Sequence, residues 1–247
     1  MIRPFLRLLP LAALLPLPAV GQDMDPAAKY AQCMSLAETR PKDAWELAGQ
    51  WVGLAGGDPA RHCQAVALIG LGEYPEAAQR LEKLAEISRA EAALRAGMLA
   101  QAAQAWTLAG NLDRAYAVQT AALDLLPGDP ALLIDRALTL VEAGDVRAAI
   151  DDLTTALNVR PNDAGALALR ASAFRMVGDP RTAEADLKRA LDIDPSHPAA
   201  LLEQGILARQ AGNASTARTA WLRLIDSAPD SPEAETARIH LQTMDGG

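Results

Sequence analysis

Two cysteines, three histidines and a few neighbouring carboxylates are the residues of this 247-residue chain whose types could do chemistry. Cys33 and Cys63 can form one disulfide with no thiol left over in an oxidising compartment; the alternative is two buried thiols acting as small apolar residues. On the chain-entropy view, closing the loop of about 30 residues between them contributes roughly 3 to 4 kcal/mol. His62 beside Cys63 makes one pair of metal-type ligands, but a zinc site normally brings a second close pair and none accompanies it, so no metal is expected. His62, His197 and His240 are far apart and without patterned partners, and His197 reads as a solvated loop residue. Asp151-Asp152, and Asp192 with Asp194, have the right type for acid–base work. Arg160, Lys188 and Arg189 stand near them, and they read as surface charge with helix-spaced partners. With no nucleophile motif and no phosphate-cradling glycine loop, neither a catalytic residue nor a cofactor is expected.

The elements that would carry these residues are set by a ruler. Gly-Asp/Asn pairs recur every 34 residues, at Gly110-Asn111, Gly144-Asp145, Gly178-Asp179 and Gly212-Asn213, and Pro127, Pro161, Pro195 and Pro229 keep the same interval. A stack of identical helix pairs needs each turn and each stop at a fixed interval, whereas a single-core domain does not. Four blocks follow, 96–129, 130–163, 164–197 and 198–231, each reading helix, turn, helix, turn. In the second block the first helix is expected over about 131–143, with Gly144 left-handed at its end, Asp145 capping the next helix, and Pro161 stopping that helix near Arg160. Small residues recur at Ala103, Ala137, Ala171 and Gly205 in the first helices and at Ala115, Ala149, Ala183 and Ala217 in the second, which lets paired helices approach closely. Asn213-Ala214-Ser215 matches a glycosylation sequon, but Asn213 fills the repeated turn position, and that structural reading is preferred.

This pattern resembles the tetratricopeptide repeat, whose signature combines the 34-residue period, these alanine and glycine columns and the closing proline. The resemblance covers 96–231 without an insertion and implies an all-α, right-handed superhelical solenoid of stacked antiparallel helix pairs. Leu99, Leu133, Leu167 and Leu201 stand where the family has an aromatic residue and fill the same core site. Upstream, 58–91 reads as a looser repeat, with 92–95 as an inserted helical turn of four residues. Residues 22–57 read as a degenerate helix pair capping one end. At the other end, 232–247 reads as a capping helix, with Ala234, Ala237 and Leu241 on one face, and a tail frayed from Met244.

The first 21 residues have the layout of a secretory signal peptide: Arg3 and Arg7, an apolar run from Leu8 to Leu15, then Ala19-Val20-Gly21. Cleavage is expected after Gly21. Prolines at 10, 16 and 18 interrupt a stretch already shorter than the roughly 20 apolar residues of a spanning helix. The expected location is therefore periplasmic or secreted, with no stable membrane insertion after cleavage. Taking Arg3 and Arg7 from the 23 basic residues leaves 21 against 31 acidic ones, a formal charge of −10, so nucleic acid is not an expected partner.

A solenoid of this family offers a concave groove lined by first helices. The resemblance points to Ile134, Leu138 and Val141 in one block, Ser172 and Arg175 in the next, and Leu202, Ile206 and Arg209 in the last. Such a lining suits an extended peptide or amphipathic helix, with a carboxylate near Arg175 or Arg209; some of its apolar residues could instead pack between repeats. The set of polar residues with which some family members hold a chaperone's C-terminal carboxylate is not reproduced, since Ile134 and Ala168 stand there. The expected function is a non-enzymatic protein–protein interaction adaptor of the cell envelope that holds a peptide or protein segment. The alternative is a periplasmic ligand carrier or holdase-type chaperone using the same groove. Sequence leaves oligomeric state open.

Overall fold

The structure is a computed structural model that describes residues 25–245; the signal-peptide expectation for residues 1–21 lies outside the described residues. Thirteen helices follow one another among the described residues: α1 Pro26–Thr39, α2 Pro41–Gly53, α3 Gly57–Gly70, α4 Tyr74–Ile87, α5 Ala92–Leu108, α6 Leu112–Leu125, α7 Pro130–Ala143, α8 Val146–Val159, α9 Ala164–Met176, α10 Pro180–Ile193, α11 Pro198–Gln210, α12 Ala214–Ser227 and α13 Pro232–Asp245. Six antiparallel pairs stack in chain order, and α13 closes the far end against α11 and α12.

The 34-residue ruler has a local cause at each mark. Gly110, Gly144, Gly178 and Gly212 all take positive φ, from 73° to 87°, a conformation only glycine adopts without strain. The next residue then caps the following helix. Asn111, Asp145, Asp179 and Asn213 accept the backbone N–H of Arg114, Ala148, Thr182 and Thr216 at 3.1, 3.3, 3.2 and 3.1 Å, each bond satisfying one of the donors a helix start leaves open. The second helices each end two residues before Pro127, Pro161, Pro195 and Pro229. Asn213 is thus an N-cap, and Ser215 Oγ bonds its Oδ1 at 3.0 Å.

The alanine columns lie in the narrow seams between paired helices. Ala137 and Ala171 on first helices, and Ala115, Ala149, Ala183 and Ala217 on second helices, have no solvent exposure. Larger side chains such as Leu153, Leu167, Leu187 and Leu201 fill the layers between these seams. In the last pair the small column is occupied by Gly205, against Trp221 of α12.

Residues 92–95 are the first turn of α5, which at 17 residues is longer than its neighbours of 13 or 14. Arg95 in that turn donates from Nε to the carbonyl of Ala85 at 2.8 Å, fastening the added turn to α4. At the C-terminus, Ala234 and Ala237 are fully buried under the last pair. The helix also continues further than its sequence suggests. Met244, expected to be frayed, lies within α13 and packs against the core around Trp221.

Candidate functional site: the first-helix face

First helices pack on one another at three junctions, α1 with α3, α9 with α11 and α11 with α13, and meet weakly at α5 with α7, while consecutive second helices make at most marginal contact. At those junctions the stack is tighter on its first-helix side than on its second-helix side.

Of the apolar residues expected on this face, four are half-buried. Ile134 and Val141 pack against the core shared by α7 to α11, and Leu202 and Ile206 against the core around Trp221. Leu138 is the open one, 50% exposed, and Leu108 of α5 is exposed to the same extent. The two share the wall of a depression of about 360 Å³ with Gln104, Thr107, Asp135 and Glu142. Its floor is polar because Gln119 of α6 occupies a column that holds Leu153, Leu187 and Trp221 in the later repeats. The Gln119 amide donates to the Asp135 carbonyl at 3.1 Å and to Thr139 Oγ1 at 2.9 Å, while its Oε1 is buried without a protein partner. Burial, helped by the charge of Asp129, pushes the Asp135 carboxyl above its usual range.

The two arginines expected to receive a partner's carboxylate are in unlike settings. Arg175 of α9 is already paired with Glu203, a buried carboxylate of α11, and its other arm reaches Ser172 Oγ at 3.5 Å. Arg209 is exposed, and its Nη1 donates to Thr243 of α13 at 3.1 Å. The basic spot at Arg175 is therefore internally neutralised, and Arg209 is the more accessible of the two cations.

The reading of Asp152 as surface charge is corrected by the structure. Arg136 of α7 grips Asp152 of α8 with two hydrogen bonds of 2.7 Å and reaches Thr120 of α6 at 3.1 Å. One repeat later, Arg170 holds Asp186 at 2.7 and 2.8 Å and Thr154 at 3.1 Å. Both carboxylates are buried, with their guanidinium partners over the rings of Tyr116 and Phe174. Each fork binds its own hairpin and the second helix of the preceding one. The equal 34-residue spacing of Arg136 and Arg170, Asp152 and Asp186, and Thr120 and Thr154 was the available signal. Asp151 is exposed, Asp192 pairs with Lys188 at 2.7 Å, and Asp194 accepts from Ser196 in a turn. His197, expected in a solvated loop, is the half-buried N-cap of α11; its Nδ1 lies 3.4 Å from the Ala200 amide.

Cys33 of α1 and Cys63 of α3 are joined by a disulfide, with Cα atoms 6.1 Å apart. No group of three His, Cys, Asp or Glu side chains that could hold a metal occurs among the described residues. No helix of the described residues is long and apolar enough to cross a membrane.

Two tetratricopeptide-repeat family models match this sequence, over residues 107–173 and 170–232, which together span just over half of it. The chain belongs to the tetratricopeptide repeat family. Its fold is similar to that of pilF from Pseudomonas aeruginosa, at 16% identity and a TM-score of 0.65, covering 87% of this chain and 97% of that one. It is also similar to YrrB, a TPR protein with an unusual peptide-binding site, at 20% identity and a TM-score of 0.54, covering 72% of this chain and 90% of that one. A chain of the APC/C hetero-tetramer Cut9-Hcn1 matches at 15% identity and a TM-score of 0.64; the match covers 86% of the present chain but only 42% of that longer one. At these identities the likeness is one of fold. The sequence finds no match among curated proteins. As a family member with this repeat array, the protein is a protein–protein interaction module.

Proposed function

We propose that this tetratricopeptide-repeat protein is a non-enzymatic adaptor of the cell envelope that holds a peptide or protein segment on its first-helix face. The observation that carries the reading is the exposed pair Leu108 and Leu138 flanking a depression of about 360 Å³ with a polar floor. Exposed leucines supply apolar contact to alternate side chains of an extended segment. Gln104, Thr107 and Glu142 beside them supply hydrogen-bonding groups for its backbone. YrrB, with a peptide-binding site on the same fold, supports the same use of this one. The envelope location rests on the composition of residues 1–21 and on the Cys33–Cys63 disulfide, which persists in oxidising compartments.

The test is affinity purification of the tagged, exported protein beside its Leu108→Asp, Leu138→Asp variant. Both leucines are half-exposed, so the variant keeps its helical circular-dichroism signal. One stoichiometric partner, lost in the variant, is the expected outcome. Undiminished capture by a folded variant sinks the groove assignment. The intact mass of the purified protein, starting at Gln22, checks export.

A further inference from the structure

A second pocket lies at the N-terminal end of the same face, about 480 Å³ in volume, between α1, α3 and the lengthened start of α5. Its walls are mostly apolar, with Pro59 from α3 and Leu94 and Met98 from α5, and three polar side chains converge on it. His62, almost fully buried, stands between Tyr30 and Gln101. Its Nδ1 lies 2.8 Å from the Tyr30 hydroxyl and its Nε2 2.6 Å from Gln101 Oε1. A volume of this size, apolar with a few convergent polar groups, is that of a ligand site.

The trio defines what the ligand must offer. With the proton on Nε2, His62 donates to Gln101 and accepts from Tyr30, which leaves the Gln101 NH2 as a free donor and a Tyr30 lone pair as a free acceptor. With the proton on Nδ1 and the Gln101 amide turned over, Tyr30 becomes the donor and Gln101 the acceptor. In both arrangements one end of the trio donates and the other accepts. A neutral amide has the matching pair of groups; a carboxylate, which has no proton to donate, does not. We propose that this pocket binds an apolar residue of an extended peptide, its side chain against Leu94, Met98 and Pro59 and its own backbone amide between Tyr30 and Gln101. The inference rests on the peptide-binding reading of this face and adds to it an anchor point and the residue class anchored.

The disulfide makes the pocket a built feature. Cys33 follows Tyr30 by three residues on α1, about one helical turn, and Cys63 follows His62 on α3, so the bridge holds the two walls that carry the polar trio. Gly97 of α5 leaves the mouth open, since a Cβ placed there meets no atom within 4 Å.

The test uses the full oxidised chain and N-acetyl-phenylalaninamide as the probe, followed by titration in 15N NMR. Saturable shifts at the Gln101 side-chain amide and at Gly97 are expected, with a Kd on the order of 1 mM for so small a ligand. 3-Phenylpropanoate, which has a carboxylate and no amide, should bind at least fivefold more weakly. Gly97→Leu should abolish the shifts while keeping α5, because leucine is the better helix former. Asp151→Asn, at an exposed position of α8 outside both sites, should leave them intact. Absence of shifts at about 20 mM probe, shifts indifferent to Gly97→Leu, or equal binding of the carboxylate would each overturn the proposal. Because no partner is present in this titration, its failure is separate from failure of partner capture at Leu108 and Leu138.

Discussion

Gly205 of α11 lies directly against the indole of Trp221 on α12: a Cβ built on Gly205 would come within 2.1 Å of Trp221 Nε1. In the two preceding repeats the same positions, also 16 residues apart, hold Ala137 with Leu153 and Ala171 with Leu187. The last pair has thus exchanged alanine and leucine for glycine and tryptophan, keeping the seam filled. Trp221 is fully buried, donates its N–H to the Leu202 carbonyl at 3.2 Å and stacks on His240 of α13. Gly205→Ala alone should destabilise by about 1–3 kcal/mol through overpacking, despite alanine's better helix propensity. Trp221→Leu alone should also destabilise, by leaving a cavity beside the glycine. The double variant, restoring the pattern of its neighbours, should be more stable than the sum of the two changes implies. Urea unfolding of the four proteins reads the coupling; strict additivity would show that the two residues do not compensate.

The Arg170–Asp186 fork should be a stability determinant of the central repeats. Asp186→Ala leaves a buried guanidinium unpaired and should cost about 3 kcal/mol, whereas the exposed pair Lys188–Asp192, removed by Asp192→Ala, should change stability by under about 0.5 kcal/mol. Equal urea midpoints for the two variants would refute the distinction.

Reduction of Cys33–Cys63 should act locally. Of the helices, α1 contacts chiefly α2 and α3, and the bridge joins α1 to α3. On the chain-entropy view the bridge contributes roughly 3 to 4 kcal/mol. Repeat stacks open unit by unit, so hydrogen exchange after reduction should rise in α1 to α3 and stay unchanged in α9 to α12. Equal acceleration at both ends would contradict this.

His62 gives the same region a pH dependence. Burial pushes its imidazole below the ordinary histidine range, against the hydrogen bond it donates to Gln101, so the unfolded chain takes up the proton first. Its contribution is fully present above the unfolded value of about 6.5 and is lost as pH falls through the lower folded value. His240 shifts in the same direction, from burial and Arg209 against the opposing pull of Glu203. The thermal midpoint should therefore fall between pH 7.5 and 5, and His62→Gln should flatten part of that slope. An unchanged slope in the variant would remove His62 as a cause.

What was legible in the sequence were features repeated in register. The glycine turns, their Asx caps, the closing prolines and the alanine seams all recur every 34 residues because each solves the same local problem four times. Asp152 was misjudged because its partner Arg136 is 16 residues away, across a hairpin, while cations nearer in sequence suggested surface pairs. Among the groove residues, Ile134, Val141, Leu202 and Ile206 carry the same apolar type as Leu138. Only the depth of packing between repeats separates the half-buried four from the exposed one. The Tyr30–His62–Gln101 trio joins positions 32 and 39 residues apart in the diverged N-terminal pairs, where no periodic column points to it.

Site-specific photocrosslinking in the cell tests the adaptor reading most directly, with the reactive group placed at Leu138 on the first-helix face or at the exposed Asp151 on α8. One discrete adduct from position 138 and none from position 151 is the result expected. Equal adducts from both positions, or a smear of products from 138, would contradict a dedicated partner on this face.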